Sequence, residues 1–296
     1  MKNKLKIIIT LIVIGFLAYY ISSNFEQFKI IKNLKTTDIL IFVILQILFI
    51  YSNGLIHKIF AKIFSVNLKE AFGLSAVTSF LNLITPFKGG TGFRALFLKK
   101  IHKIDYKKFI ALIYAKYVII SLFLTLLGAI TSFLIDELYL GIIFLLASLL
   151  CLIIIKFHFR LPNKNKILQN INKILESWEQ IAKHKGIKEK LGLITIFNLM
   201  LTSLINFFTL KSLGASITFL DASFLAVIGS LSFFIQITPG GLGITEGAYY
   251  LSTTFINISG PEAITAALII RLSNAITLIP IGIYYYFKLN RTIKEI

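Results

Sequence analysis

The sequence predicts an all-α integral membrane protein with about six full transmembrane helices and two re-entrant, broken-helix hairpins in inverted repeats. Four observations predict it. The chain is 56% hydrophobic and only 15% charged, with mean hydropathy +0.83. Its apolar runs are long enough to cross a bilayer, which takes roughly 20 residues. A Pro/Gly interruption occurs twice, as Thr85-Pro86-Phe87-Lys88-Gly89-Gly90-Thr91-Gly92 and as Thr238-Pro239-Gly240-Gly241-Leu242-Gly243. Without Phe87 and Lys88 the first copy, like the second, reads Thr-Pro-Gly-Gly-x-Gly. Finally, the basic residues are distributed unevenly among the connecting segments.

The elements follow in order. The run 5–22 stands beside Lys2, Lys4 and Lys6 and resembles a signal peptide. It is long for such a segment and lacks a small-residue cleavage site, so it is read as a span. A second span covers 39–57. The segment 71–98 is a hairpin broken at Pro86, because proline removes a backbone donor and glycine weakens helix. Spans 109–135 and 138–157 follow. The polar segment 158–190 carries Ile167, Ile171, Ile174, Trp178 and Ile181 at helical spacing, which predicts an amphipathic helix on the inner membrane surface. Span 191–211, a hairpin over 222–258 broken at Pro239, and span 263–287 complete the chain. The organisation is therefore a first membrane half over 1–157, with 138–157 opening the second repeat, then a cytoplasmic linker at 158–190, then 191–296.

Charge sets the expected orientation. With the N-terminus inside and each hairpin returning to its own side, 25 of the 31 Lys and Arg residues fall in cytoplasmic segments. Lys29, Lys32, Lys35 and Lys211 fall outside, with Asp136 and Glu137. This bias is the positive-inside pattern and places both termini in the cytoplasm of a multi-pass cell-membrane protein. The net charge of +18 is then a property of loops rather than a nucleic-acid footprint. The same order makes the two halves inverted, so the hairpins enter from opposite sides. Paired breaks at corresponding positions of two halves point to a transporter's binding site.

Few residues could carry chemistry. Glu246 is a carboxylate inside an apolar segment, just after the second glycine turn. It is read either as a proton-coupling group or as a cap of the hairpin. Lys88 and Arg94 flank the first turn, Arg271 lies mid-way along the last span, and Lys116 lies within the third. The excess of cations over carboxylates suggests an anion, and a lipid phosphate is the available one. The candidate headgroup-binding set is Lys88, Gly89, Gly90, Arg94, Gly240, Gly241, Gly243 and Arg271, with backbone N–H groups at the half-helix starts. The structural alternatives are an Arg271–Glu246 salt bridge and snorkelling of Lys88 and Lys116. Asn82, Asn198, Asn206 and Asn274 are expected to bond between helices, or in the case of Asn82 to cap carbonyls freed by the break. His57, His102, His158 and His184 lack metal spacing and are expected in solvated or snorkelling positions. Cys151 is the single cysteine. No cofactor, metal or nucleic-acid partner is expected, and neither glycine turn completes a nucleotide loop.

The pattern Pro86-Phe87-Lys88-Gly89-Gly90-x-x-x-Arg94, then Pro239-Gly240-Gly241-Leu242-Gly243-Ile244-x-Glu246, then Arg271, resembles the transmembrane region of lysylphosphatidylglycerol synthases. It is similar also to stand-alone flippase-like proteins of that family. The resemblance implies a lipid-translocating module of inverted repeats and re-entrant helices. It further implies a phospholipid or polyprenyl-phosphate-linked lipid as the partner. Some archaeal relatives are fused to glycosyltransferases. The synthases carry a separate C-terminal transferase domain, which is expected to be absent here, so no enzyme activity is expected. The rival expectation is a non-transporting accessory subunit of a lipid- or glycan-modifying enzyme. A homo-oligomer is compatible with either.

Overall fold

The structure, a computed structural model, describes residues 34–61, 66–156 and 186–294, with isolated positions before 34 and in 162–179. The expected span 5–22 lies almost wholly, and the amphipathic linker 158–190 for the most part, outside the described residues.

Among the described residues the chain is all-α. Helix α1 is Thr36–Ala61, α2 Leu68–Ile84, α3 Gly89–His102, α4 Tyr106–Leu134, α5 Leu138–Lys156, α6 Ile187–Ser212, α7 Phe219–Ser232, α8 Ile244–Ser252 and α9 Gly260–Lys294. Five of these, α1, α4, α5, α6 and α9, are long and apolar enough to cross a membrane. At 1.5 Å per residue, α2, α3, α7 and α8 reach only about 14–26 Å, short of a hydrocarbon core roughly 30 Å thick.

Each short helix starts and stops for a local reason. Asn67 caps α2 by accepting from the Glu70 N–H at 2.8 Å. The helix stops at Thr85 (φ −115, ψ 142), since the residue before a proline is pushed out of the helical region. Helix α7 opens on a Thr218/Asp221 capping box. It ends in a single 3-10 turn, Phe233–Ile235, before the second break.

The paired short helices are antiparallel. Glu70 meets His102 at the open end of α2/α3, and Asn82 meets Gly90 at its tip. In the second pair Ser232 Oγ lies 3.1 Å from Thr245 Oγ1 near the tip. So each pair is a hairpin that returns to the side it came from.

The packing clusters show which side that is. The open end of α2/α3 packs with the start of α4 and the end of α9, through Leu74, Phe97, Phe109, Leu289 and Ile293. Beside it, Ile56 ending α1 meets Ile187 and Leu191 starting α6, and Leu112 of α4. The open end of α7/α8 belongs to the opposite cluster, with Phe42 from the start of α1, Leu210 and Leu213 ending α6, and Ala263 from the start of α9. The hairpins therefore open on opposite faces. Helices α1 and α6, equivalent in the two halves, run antiparallel across a Ser52–Asn198 hydrogen bond. The neighbours repeat under exchange of halves. Helix α1 packs on α2 as α6 packs on α7, α2 on α9 as α7 on α4, and α1 on α9 as α6 on α4. These are inverted repeats.

In a membrane, close packing rather than water exclusion joins helices, and small residues permit it. A Cβ on Gly282 would lie 2.3 Å from Phe80 Cβ, and one on Gly73 would lie 2.4 Å from the Tyr285 ring. The two glycines set the α2–α9 spacing from both sides.

Candidate functional site

The two hairpin tips meet in the interior. Gln236, in the break after α7, donates from Nε2 to the Asn82 carbonyl at 2.9 Å. Gly240 approaches the Leu83 backbone closely enough that an added Cβ would lie 3.3 Å from its carbonyl oxygen. The junction thus consists of the two Pro/Gly breaks themselves.

On one side of the junction the second break is held by an ion pair. Arg271, from α9, donates from Nε to Glu246 Oε1 at 2.9 Å, and its Nη2 lies 2.8 Å from the same oxygen. Its Nη1 donates to the Gly240 carbonyl at 3.0 Å. The other Glu246 oxygen accepts from the Gly243 N–H at 2.7 Å, capping α8. Glu246 is 1% exposed, so its charge is compensated wholly inside the protein. The turn itself uses left-handed backbone at Gly240, Gly241 and Gly243.

On the other side the first break gathers cations. Phe87 (φ 55) and Lys88 (φ 54) are both left-handed, an arrangement that costs energy in residues bearing a Cβ. Lys88 Nζ donates to Tyr117 Oη of α4 at 3.3 Å. It lies 4.8 Å from the centroid of the Tyr117 ring and 5.9 Å from that of Phe234, which belongs to the other hairpin. The two rings are 5.4 Å apart. Lys116 is half-buried in α4, next to Tyr117 in the chain. Arg94, buried in α3, has its guanidinium 5.8 Å from the Phe109 ring.

The expected site residues are thereby divided. The four cations do not form one group: Arg271 joins Glu246, while Lys88, Arg94 and Lys116 surround the α3–α4 side. The glycine N–H groups are largely engaged within the fold: Gly90 donates to Asn82 Oδ1 at 2.9 Å, Gly241 to the Thr238 carbonyl at 3.0 Å, and Gly243 to Glu246. Gly89 packs against Thr85, where a Cβ would lie 2.5 Å from the hydroxyl. Pro86 and Pro239 sit at the two breaks. Asn82 accepts from an N–H rather than capping freed carbonyls, because its side chain lies under the start of α3. Asn198 and Asn206 do join helices, the latter accepting from Tyr249 Oη at 2.6 Å. His102 is not a solvated loop residue. Its Nε2 lies 3.0 Å from Glu70 Oε1 and ties the hairpin arms together.

Sequence reasoning missed Tyr117, Phe234 and Gln236. The one available signal was Tyr117 adjoining Lys116 inside an apolar span.

The family described as the lysylphosphatidylglycerol synthase TM region matches residues 5–282. The chain belongs to this family. It is a multi-pass membrane protein of lipid metabolism or transport, and the match is to the family's membrane region. No curated protein and no solved structure matches the chain.

Proposed function

We propose that the protein is a lipid flippase that moves an anionic or phosphate-bearing lipid between leaflets, without enzymatic activity. The observation that supports it most is the meeting of two hairpin tips from opposite faces beside a cluster of cations. Such a junction can be approached from either leaflet, and inverted repeats give it two related ways to open. Lys88, Arg94 and Lys116 offer side-chain charge to a headgroup phosphate, with Arg94 capable of a bidentate fork. Acyl chains would stay in the bilayer along the outer surface of the hairpins.

The protein resides in the cell membrane with its basic face and both termini in the cytoplasm, as the positive-inside rule directs. Arg271 and Glu246 act in this reading as a lock on the second hairpin. The test is leaflet exchange in proteoliposomes carrying a trace of acyl-labelled phosphatidylglycerol. Active protein raises the fraction of label destroyed by an external reductant from about half toward completion. Arg94→Gln slows exchange while the protein stays folded and inserted. Wild-type protein that leaves labelled anionic lipids at the protein-free rate would sink the proposal.

A further inference from the structure

Among the described contacts between the two hairpin tips, the one through Lys88 carries charge. Gln236 on the Asn82 carbonyl and the close approach of Gly240 to Leu83 are both neutral. The Lys88 ammonium is held by Tyr117 of α4 and by Phe234 of the second hairpin, 4.8 Å and 5.9 Å from their ring centroids. One side chain thus ties the first break to a span of its own half and to the hairpin of the other half. Its side-chain hydrogen bond, to the neutral Tyr117 hydroxyl, is 3.3 Å long, at the far end of the useful range. The described ion pairs, Glu70–His102 and Arg271–Glu246, leave Lys88 out.

The two ends of α3 are packed differently. At its far end Phe97 and Leu98 are buried in the cluster at the hairpin's open end. Arg94 belongs with that end, its guanidinium over Phe109 of the same cluster. At the tip, Gly89 and Gly92 are exposed, and a Cβ on Gly92 would meet nothing within 4 Å. Between the buried arm α2 and this open tip stand Phe87 and Lys88, both left-handed. Residues bearing a Cβ keep such a backbone only where their surroundings impose it.

We infer that Lys88 is a latch on the junction: its seat on Tyr117 and Phe234 holds the two tips together, and the phosphate of a lipid headgroup releases it. The inference rests on the flippase reading and adds how that site opens. An ammonium over neutral rings is held more weakly than one bonded to an anionic oxygen. A ligand shifts an equilibrium only through its preference for one state. The phosphate has that preference, because Lys88 turns to it by leaving the rings. The link from the first break to the second hairpin is then lost, residues 87 and 88 relax, and the tip of α3 moves on its buried base. When the headgroup departs, Lys88 reseats and the tips close.

The test is amide hydrogen exchange in maltoside micelles, whose headgroups carry no phosphate. Adding phosphatidylglycerol to the wild-type protein should quicken exchange several-fold over 83–92 and 233–243, with α5 unchanged. Diacylglycerol, with the same tails and no phosphate, should leave both tips as they were. Phe234→Leu removes a ring but no cation, and its tips should exchange fast before any lipid is added. Lys88→Gln should be equally fast and insensitive to the lipid, while Lys88→Arg restores the response. The wild-type arms need no variant, so a misfolded one cannot void them. Slower or unchanged exchange at the wild-type tips on adding phosphatidylglycerol would overturn the inference. So would diacylglycerol or inorganic phosphate acting as strongly as phosphatidylglycerol, because the releasing group would then not be a headgroup phosphate. Leaflet exchange in proteoliposomes checks the parent reading separately. Lipid transport with tips that ignore the lipid removes the latch alone. Tips that loosen without transport keep the latch and remove the flippase.

Discussion

At the scale of single residues, two features of the junction respond differently to mutation. The Arg271–Glu246 pair is an internal charge compensation. Glu246→Gln keeps the shape but leaves the Arg271 charge against a neutral amide, and breaking a buried pair from one side costs about 3–5 kcal/mol. The expected outcome is a markedly lower midpoint of thermal unfolding in detergent. The double change Glu246→Gln with Arg271→Gln should recover much of that loss. A single variant as stable as wild type would show that the pair holds nothing together. Gly90 is a steric case. A Cβ there would lie 2.1 Å from the Thr78 carbonyl oxygen, which is backbone and cannot swing away. Gly90→Ala should push the α2/α3 arms apart and lower stability, whereas Gly92→Ala, with nothing within 4 Å of its added Cβ, should be nearly neutral.

At the scale of elements, the hairpins were legible because their breaks are written in residue chemistry. A proline before two glycines ends a helix wherever it lies, so both interruptions could be read from one sequence. The glycine–glutamate spacing similarly announced the Glu246 cap of α8. The contacts between tips were not legible, because Gln236 and Asn82 are 154 residues apart in sequence and nothing local marks them as partners. The same holds for Phe234 over Tyr117 and for the Glu70–His102 tie. The Gln236–Asn82 bond gives a prediction at this scale. Gln236→Leu removes the side-chain donor to the Asn82 carbonyl while keeping bulk. Amide hydrogen exchange should then quicken over 83–92 and over 236–243, with α5 unaffected. Unchanged protection in both tips would mean that packing alone joins the hairpins.

At the scale of the whole molecule, packing and the charge distribution independently separate two faces of the bundle. Packing places the ends of α1, α3, α5 and α9 with the starts of α2, α4 and α6 on one face. That face carries Lys99, Lys100, Lys103, Lys107, Lys108, Lys188 and Lys190, with Lys288 and Arg291 on the last turns of α9. The opposite face carries Lys35 and Lys211 against Asp38, Asp136, Glu137, Asp221 and Glu262. The sequence could show the asymmetry because loop charge is local, and packing adds that the two sets lie at opposite ends of a single bundle. The proposed sidedness, with the basic face in the cytoplasm, rests on the rule that basic loops stay inside. Single cysteines at Lys35, Asp136 and Gly214, in a chain with Cys151 replaced, should react with a membrane-impermeant thiol reagent applied to intact cells. Cysteines at Lys103, Lys108 and Lys190 should react only after the membrane is opened. All six positions are exposed, so a silent site reports topology rather than burial. A uniform reversal would leave the bundle intact and invert its orientation. A split within either set of three would break the inverted repeat itself, because no arrangement of antiparallel halves puts two ends of one face on opposite sides of the membrane.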